Sequence, residues 1–237
     1  MKPYYASGAH RIYHGDAREI LPALLAEGVR GHVITDPPYS AKTHEGATAK
    51  GRVDNHANTE IAYAAWSPDD VGGFVSTAVQ FGGWVVGMTD TQLIPAWQDA
   101  YIASGYTEFA PVPCVITGMT VRLAGDGPSS WAVYAMVARP KSLARWGTLP
   151  GAYVGGRGER AQSGTRIGGK PLWLMRAIVS DYSREGDVVI DPYMGGGTTL
   201  VATAERGRIA IGCEIEEEWC EKSARALEAT IAQGRMF

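Results

Sequence analysis

Short apolar runs alternate along the chain with segments whose apolar residues recur at helical spacing. Near the N-terminus this pattern predicts a strand at 11–14, a helix that begins after Asp16 and ends at Gly28, and a strand at 32–35. A strand, a helix and a second strand in this order form a βαβ unit, whose two strands run parallel. The first 35 residues therefore predict the start of an α/β sheet.

The rest of the chain continues this alternation with one interruption. The pattern predicts further helices at 67–81, 92–104, 172–182, 199–206 and 216–231, and further strands at 84–88, 187–191 and 208–213. No helix separates the strand candidates at 109–117 and 131–138, so we expect an antiparallel, hairpin-like pair at the sheet edge. Residues 40–59 and 139–169 show little periodicity, which predicts a long loop and an irregular segment.

Composition narrows the class of protein. The 237 residues are 45% hydrophobic and 20% charged, as expected for one large globular domain covering residues 1–237. The three cysteines form no C-x-x-C pair, which argues against a disulfide framework or a zinc site and favours a reduced, cytoplasmic setting. No run approaches ~18 apolar residues, so we expect no membrane partner.

The strand at 32–35 leads directly into Asp36-Pro37-Pro38-Tyr39. Prolines have no N–H, so carbonyl groups beside them lack a local donor. The Asp36 carboxylate and the Pro37 carbonyl can each accept one N–H of an exocyclic amine, and Tyr39 can stack on a ring. The pattern therefore suits the amino group of a heteroaromatic base, although it also suits a plain proline-rich turn.

A second constellation lies near the C-terminus. The strand that ends in Asp191 leads into a glycine-rich turn and a helix, and the next strand ends in Glu214, 19 residues after Gly195. Glycines allow a close backbone approach, and an acid at this spacing is placed for ribose hydroxyls. Leu200 stands where a dinucleotide site has its third glycine. A cofactor with a methionine moiety and no pyrophosphate therefore fits better than a dinucleotide.

Both stretches resemble motifs of the DNA amino-methyltransferases, which methylate adenine N6 or cytosine N4. Asp36-Pro37-Pro38-Tyr39 resembles motif IV, and residues 191–198 resemble motif I, D-P-F-x-G-x-G-T, with Tyr193 in place of the usual Phe. Three further matches are Lys170-Pro171 with motif X, Glu214 with the motif II acid and Gly15-Asp16 with motif III. The resemblance covers residues 10–39 and 170–231.

The resemblance implies a fold, a cofactor and site residues. The implied fold is the Rossmann-like S-adenosylmethionine-dependent methyltransferase fold, with a seven-stranded, mostly parallel sheet, an antiparallel edge hairpin and a circularly permuted motif order. The catalytic residues would be Asp36, Pro37, Pro38 and Tyr39, with Asp36 and Asp191 ending neighbouring strands. The residues expected to bind S-adenosylmethionine are Asp16, Lys170, Asp191, Pro192, Tyr193, Gly195, Gly197, Thr198 and Glu214. Asp16 also suits a helix N-cap.

The implied partner is double-stranded DNA whose target base is flipped out, in a bacterial or phage-infected cell, with a homodimer as a further expectation by analogy and no metal. Residues 141–170 carry six basic residues against one acidic residue, so we expect target recognition at 139–169. A loop insertion at 40–66 would close over the flipped base. The candidate DNA contacts are Lys42, Arg52, Arg145, Trp146, Arg157, Arg160 and Arg166. Tyr153 is a further aromatic candidate for stacking.

The target remains open at this level. An Asp at the first motif IV position leans towards adenine in this family, so adenine N6 in DNA is the leading prediction and cytosine N4 the alternative. The order of the motifs speaks against an RNA or protein-glutamine methyltransferase. A catalytically silent nucleic-acid-binding module is a further alternative, against which the intact Asp36, Tyr39, Asp191 and Glu214 speak.

Overall fold

The computed structural model describes residues 1–48, 64–118, 130–143, 146–156 and 169–234. The strands are β1 (Tyr5–Ser7), β2 (His10–His14), β3 (Gly31–Thr35), β4 (Gly82–Thr89), β5 (Thr107–Glu108), β6 (Val112–Thr117), β7 (Ala132–Arg139), β8 (Tyr153–Gly156), β9 (Val188–Asp191) and β10 (Ile209–Glu214). The α-helices are α1 (Ala17–Ala26), α2 (Ala41–Thr48), α3 (Pro68–Ala78), α4 (Ile94–Ala103), α5 (Leu172–Tyr182), α6 (Thr198–Glu205) and α7 (Glu217–Gly234). Short 3₁₀ turns cover Val79–Phe81 and Lys141–Leu143.

All strands of the described residues join one sheet, in the order β1-β2-β10-β9-β3-β4-β7-β6-β8, with β5 paired to β7. Strands β2, β10, β9, β3 and β4 run parallel, and β7 is antiparallel to both β4 and β6. The seven strands from β2 to β6 are the predicted mostly parallel sheet with its antiparallel hairpin, and this prediction is confirmed. Three short strands, β1, β5 and β8, were not predicted.

Strand β8 corrects the prediction that residues 139–169 are irregular. It pairs in parallel with β6, so it is β8 that lies at the sheet edge, outside the predicted hairpin. Its sequence, Tyr-Val-Gly-Gly, has no clear alternation, and glycine is weak in strands. A Cβ on Gly155 would lie 2.6 Å from the Trp173 ring, so this glycine is needed for the close approach of α5. Tertiary packing therefore decides the conformation of a segment that lacks a local signal.

Helices cover both faces of the sheet. The cluster on one face includes Leu174 and Ile178 of α5 and Val201 of α6. The cluster on the other face includes Leu24 of α1 and Trp97 of α4, together with residues of α3. In the described residues, no helix has the length and apolar character needed to cross a membrane.

The connections place the open crevice between β3 and β9. From β3 the chain crosses to β4 on one side, and from β9 it crosses to β10 on the other. Ligands of such sheets bind beyond the carboxyl ends of the strands where the winding direction changes. The two sequence constellations follow β3 and β9, so both lie at this crevice.

Candidate active site

The turn Asp36-Pro37-Pro38-Tyr39, named the catalytic turn after the role that the resemblance implies, begins where β3 ends, and its carboxylate is held by two donors. The Tyr39 hydroxyl donates to Asp36 Oδ1 at 2.8 Å, and Lys170 Nζ donates to Asp36 Oδ2 at 2.5 Å. The Lys170 ammonium also lies 5.0 Å from the centre of the Tyr39 ring. Burial, and then the nearby Asp36 charge, raise the pKa of the Tyr39 phenol well above its usual value, so the phenol stays protonated and can donate. Pro37 is buried and Pro38 half-buried beside them.

A carboxylate at the end of β4 fixes the segment after this turn. Asp90 Oδ2 accepts the Ser40 N–H at 3.0 Å, the Ser40 hydroxyl at 2.6 Å and the Thr43 hydroxyl at 2.5 Å. Burial alone would raise the pKa of Asp90, but these hydrogen bonds lower it, so the carboxylate is ionised at neutral pH. Asp90 thereby holds the start of α2, where the sequence predicted only a loop. The signal was missed because Asp90 lies 47 residues from Thr43.

Trp66, which lies just before α3, contacts the same turn. Its N–H donates to the Tyr39 carbonyl at 2.9 Å, and its ring packs edge-on against Tyr193 at 5.3 Å between centres. Tyr193 stands in the motif I stretch, so one tryptophan contacts both constellations. Sequence reasoning did not single out Trp66, because a lone tryptophan after a polar segment carries no chemical pattern.

Replacing Asp90 with Ala should loosen the chain that follows the catalytic turn. The change removes an ionised acceptor from Ser40 and Thr43, and hydrogen bonds to charged groups contribute ~1.5–3 kcal/mol. We expect backbone amides of α2 to exchange with solvent at least about tenfold faster, while those of α5 keep their rates. Hydrogen exchange followed by mass spectrometry measures both. Equal acceleration in the two helices would contradict a local clamp and indicate general destabilisation.

Asp191, at the end of β9, connects the end of β3 with the turn after β9 through hydrogen bonds. Its Oδ1 accepts the Thr35 hydroxyl at 2.6 Å and the Tyr193 N–H at 3.1 Å, and the residue is only 1% exposed. Burial raises the pKa of Asp191 to about 6, against the lowering effect of hydrogen bonds from Thr199 and Thr35. In the structure Asp191 stabilises the turn and ties the carboxyl ends of β3 and β9 together; that these two strands are neighbours was implied by the resemblance.

The turn after Asp191 requires glycine at two positions. Gly195 and Gly197 have φ angles of 48° and 76°, in the left-handed region that favours glycine. A Cβ on Gly197 would also lie 2.7 Å from Ser223 Oγ, and that hydroxyl donates to the Gly195 carbonyl at 3.1 Å. Pro192 before the turn is buried, and Thr198 after it begins α6. The backbone of the turn thus lies directly at the crevice.

Two further acids lie at the neighbouring strand ends. Gly15 N–H donates to the Glu214 carbonyl at 2.9 Å, so the chain after β2 lies beside the end of β10. Glu214 Oε1 accepts the N–H groups of Ile215 and Glu216 at 2.9 and 3.0 Å, with 7% of the residue exposed. Asp16 caps α1 by accepting the Arg18 N–H at 2.8 Å. A side-chain hydrogen bond from Arg18 lowers the pKa of Asp16.

The charges at this edge indicate which kind of cofactor it suits. Four carboxylates, those of Asp16, Asp36, Asp191 and Glu214, follow adjacent strands. Lys170 forms an ion pair with Asp36, and Arg18 forms one with Asp16. A set of negatively charged acceptors beside a turn without a third glycine fits a cofactor that carries positive charge, and it does not fit a diphosphate. The described residues contain no group of three or more His, Cys, Asp or Glu placed to hold a metal ion.

The candidate DNA contacts are only partly described. Lys42 lies exposed on α2, near the catalytic turn. Arg52, Arg145, Arg157, Arg160 and Arg166 lie outside the described residues, as do residues 144–145 and 157–168 of the proposed recognition segment and residues 49–63 after α2.

Trp146 and Tyr153 require a correction, because both are packing residues. The Trp146 ring contacts His32 and Trp84, where β3 and β4 begin, at 5.7 Å between ring centres in each case. Its Nε1 donates to the Asp181 carbonyl at 2.7 Å, and it therefore lies at the edge of the sheet opposite the catalytic turn. The Tyr153 hydroxyl donates to Asp181 Oδ2 at 2.7 Å, and Tyr153 is 5% exposed. Neither ring is positioned to stack on DNA at the crevice.

Comparisons of sequence agree with the motifs. A family model described as DNA methylase, N6_N4_Mtase, matches residues 158–225. The Type II methyltransferase M2.DpnII of Streptococcus pneumoniae is 38% identical over 60 residues, which are 25% of this chain and 22% of that protein. The chain thus spans about a fifth of the length of the curated relatives it matches. These matches support a DNA amino-methyltransferase.

Comparisons of structure extend over nearly the whole chain. The crystal structure of the M1.HpyAVI–SAM complex superposes with a TM-score of 0.68 and 22% identity, covering 92% of this chain and 98% of that one. PvuII DNA methyltransferase, named as cytosine-N4-specific, gives a TM-score of 0.69 at 17% identity, covering 98% and 93%. The fold is therefore the Rossmann-like fold of S-adenosylmethionine-dependent methyltransferases, as predicted.

Proposed function

We propose that this protein is a DNA methyltransferase that transfers a methyl group from S-adenosylmethionine to the N6 amine of adenine. The observation that carries the proposal is the junction of two strand ends. The Thr35 hydroxyl, one residue before Asp36, donates to Asp191 at 2.6 Å, so the catalytic turn and the glycine turn share one crevice. A base amine held by Asp36 would therefore lie beside a cofactor held by the turn after Asp191.

The residues of the chain would act by positioning and electrostatics. S-adenosylmethionine, when bound, supplies an electrophilic methyl group on a positively charged sulfur. Asp36 and the Pro37 carbonyl would accept the two N–H groups of the base amine. Binding both hydrogens draws the nitrogen lone pair out of conjugation with the ring and aims it at the methyl group. The Asp36 carboxylate also stabilises the positive charge that develops on the nitrogen.

The same arrangement assigns roles to the other crevice residues. Glu214, at the end of β10, would bind the ribose hydroxyls, and the backbone of the turn at Gly195 and Gly197 would lie against the cofactor. Tyr39 would stack on the target base, which must leave the helix at a cost of a few kcal/mol. Because the catalytic turn precedes the cofactor turn in the sequence, we also propose that the chain has the permuted motif order of the β-class.

Recognition of DNA belongs to the same proposal. We assign it to Lys42 and to the basic residues between 139 and 169, on one catalytic domain that covers residues 1–237. The loop insertion at 40–66 would close over the extrahelical base, since α2 and Trp66 both attach to the catalytic turn.

A homodimer is a further part of the proposal, and gel filtration at several concentrations tests it.

Adenine is preferred to cytosine because the catalytic turn opens with Asp36. In the amino-methyltransferases that the sequence resembles, Asp at this motif IV position leans towards adenine and Ser towards cytosine. The fold does not separate the two bases, because one of its structural neighbours is named as cytosine-N4-specific. Cytosine N4 is therefore the second candidate.

Product analysis tests the proposal. Purified protein is incubated with S-adenosylmethionine and unmethylated genomic DNA, and the DNA is digested to nucleosides for mass spectrometry. We expect N6-methyladenine. N4-methylcytosine would keep the reaction and overturn the base, whereas no methylated nucleoside, despite cofactor binding in calorimetry, would contradict a DNA methyltransferase.

A further inference from the structure

Lys170 makes two contacts with the catalytic turn. Its ammonium donates to Asp36 Oδ2 at 2.5 Å and lies 5.0 Å from the centre of the Tyr39 ring. The residue is only 9% exposed, so the charge has lost most of its hydration. A buried ammonium is costly unless a partner offsets the lost water, and Asp36 supplies that partner. The contact joins residues 134 positions apart in the sequence.

The two contacts fix the orientation of the Asp36 carboxylate. Tyr39 donates to Oδ1 at 2.8 Å and Lys170 donates to Oδ2, so one donor holds each oxygen. A carboxylate with a hydrogen bond to each oxygen cannot rotate about its χ2 bond without breaking a charge-assisted hydrogen bond. Each oxygen keeps a second lone pair, so an amine N–H can bind Asp36 while Lys170 and Tyr39 stay in place.

Lys170 also offsets repulsion between the two acids at the crevice. Burial, and more weakly the charge of Asp36, raise the pKa of Asp191. The two carboxylates end neighbouring strands, and a cation in contact with one of them reduces this repulsion. Without the ammonium, Asp36 would be a half-buried negative charge beside a second buried acid.

We propose that Lys170 is a positioning residue for methyl transfer, which acts by holding Asp36 and Tyr39 in place. The inference deepens the proposed function and rests on it. It differs from the sequence prediction that Lys170 binds the cofactor, and the two roles have different consequences. A cofactor ligand sets the affinity for S-adenosylmethionine, whereas a positioning residue sets the rate of transfer from bound reactants.

The kinetic test replaces Lys170 with Met, which keeps the unbranched stem and removes the charge. We expect the single-turnover rate of methyl transfer to DNA to fall at least about tenfold, while the Kd for S-adenosylmethionine changes less than about threefold. Lys170→Arg keeps a cationic donor and should recover most of the lost rate. A Kd that rises tenfold or more in Lys170→Met, with an unchanged rate at saturating cofactor, would overturn the inference.

A double-mutant cycle in the absence of cofactor and DNA tests the contact itself. Urea unfolding is measured for the wild type, Lys170→Met, Asp36→Asn and the double variant. We expect the effect of the double variant on the unfolding constant to differ by at least about fivefold from the product of the two single-variant effects, because the pair is largely buried. The matched control is Lys222→Met with Glu218→Gln, an exposed pair on α7, for which we expect less than about twofold coupling.

The two tests separate the failure of the inference from the failure of the proposed function. A wild-type protein that methylates no DNA would contradict the proposed function, and the unfolding cycle would still support or overturn the role of Lys170 at Asp36. Additive effects in the Lys170 and Asp36 cycle would overturn the inference, whether or not the protein methylates DNA.

Discussion

Asp36→Asn should lower the rate of methyl transfer by about 10²–10³-fold, the range for removing one preorganised electrostatic group. The amide offers one acceptor oxygen instead of two and carries no charge. It therefore cannot accept from Tyr39, Lys170 and a base amine together, and it does not stabilise positive charge on the attacking nitrogen. The single-turnover rate with radiolabelled S-adenosylmethionine and unmethylated DNA is the measurement.

Binding measurements separate this chemical effect from misfolding. Because the proposed function assigns Asp36 to the base amine and the turn after Asp191 to the cofactor, the variant should keep its cofactor Kd within about threefold. The matched control is Asp99→Asn, an exposed carboxylate on α4, which should keep the wild-type rate. An Asp36→Asn variant that retained more than a tenth of the rate would contradict the catalytic role of this carboxylate.

Asp191→Asn should stabilise the protein at high pH and have little effect at low pH. Burial raises the pKa of Asp191 to about 6, from 3.8, so the native state binds this proton more tightly than the unfolded state does. The stability that such an acid contributes is present at low pH and is lost as the pH rises through about 6. At pH 8, a pKa shift of roughly two units lowers the free energy of unfolding of the wild type by at most about 3 kcal/mol. The uncharged variant would not have this loss of stability.

Urea unfolding between pH 5 and pH 8 measures this difference. The difference in unfolding free energy between Asp191→Asn and the wild type should increase by about 1.4 kcal/mol from pH 5 to pH 8. This is the free energy that corresponds to one pKa unit. The amide oxygen can still accept from Thr35, and the Thr199 hydroxyl can accept from the new amide group. Asp99→Asn serves again as the control, and parallel curves for Asp191→Asn and the wild type would contradict a buried, proton-binding carboxylate.

The stability difference also bears on why an acid stands at this position. A buried carboxylate that lowers stability at neutral pH contributes its charge to something other than folding. Asp191 aligns the two turns through Thr35 and Tyr193. Under the proposed function, its negative charge would also lie near a positively charged cofactor. We therefore expect Asp191→Asn to bind S-adenosylmethionine more weakly than the wild type, despite its higher stability.

The sequence predicted the parts of the site that follow from local pattern. The strands before Asp36 and Asp191 are short apolar runs, and both end in motifs that place a carboxylate at the same sheet edge. That these two strands are neighbours was implied by the resemblance to the amino-methyltransferases, and the pairing of β3 with β9 confirms it. The predicted helix from Leu172 to about Tyr182 agrees with α5, because its apolar positions recur at helical spacing.

The contacts that the sequence did not predict join distant segments. Lys170 reaches Asp36 across 134 positions, and Asp90 reaches Thr43 across 47, with no local spacing to signal either pair. Trp146 was misassigned for a related reason, since a tryptophan in a basic segment looks available for stacking. Its actual partners, such as Arg184 at 3.9 Å from the ring centre, come from elements far away in the chain.

The identity of the methyl acceptor tests the central claim most directly. Double-stranded unmethylated DNA, single-stranded RNA and a protein mixture are offered together with radiolabelled S-adenosylmethionine, and the three fractions are separated before counting. We predict that the label enters DNA, and that Asp36→Asn loses this label while Asp99→Asn keeps it. Label in RNA or in protein, with none in DNA, would contradict the account.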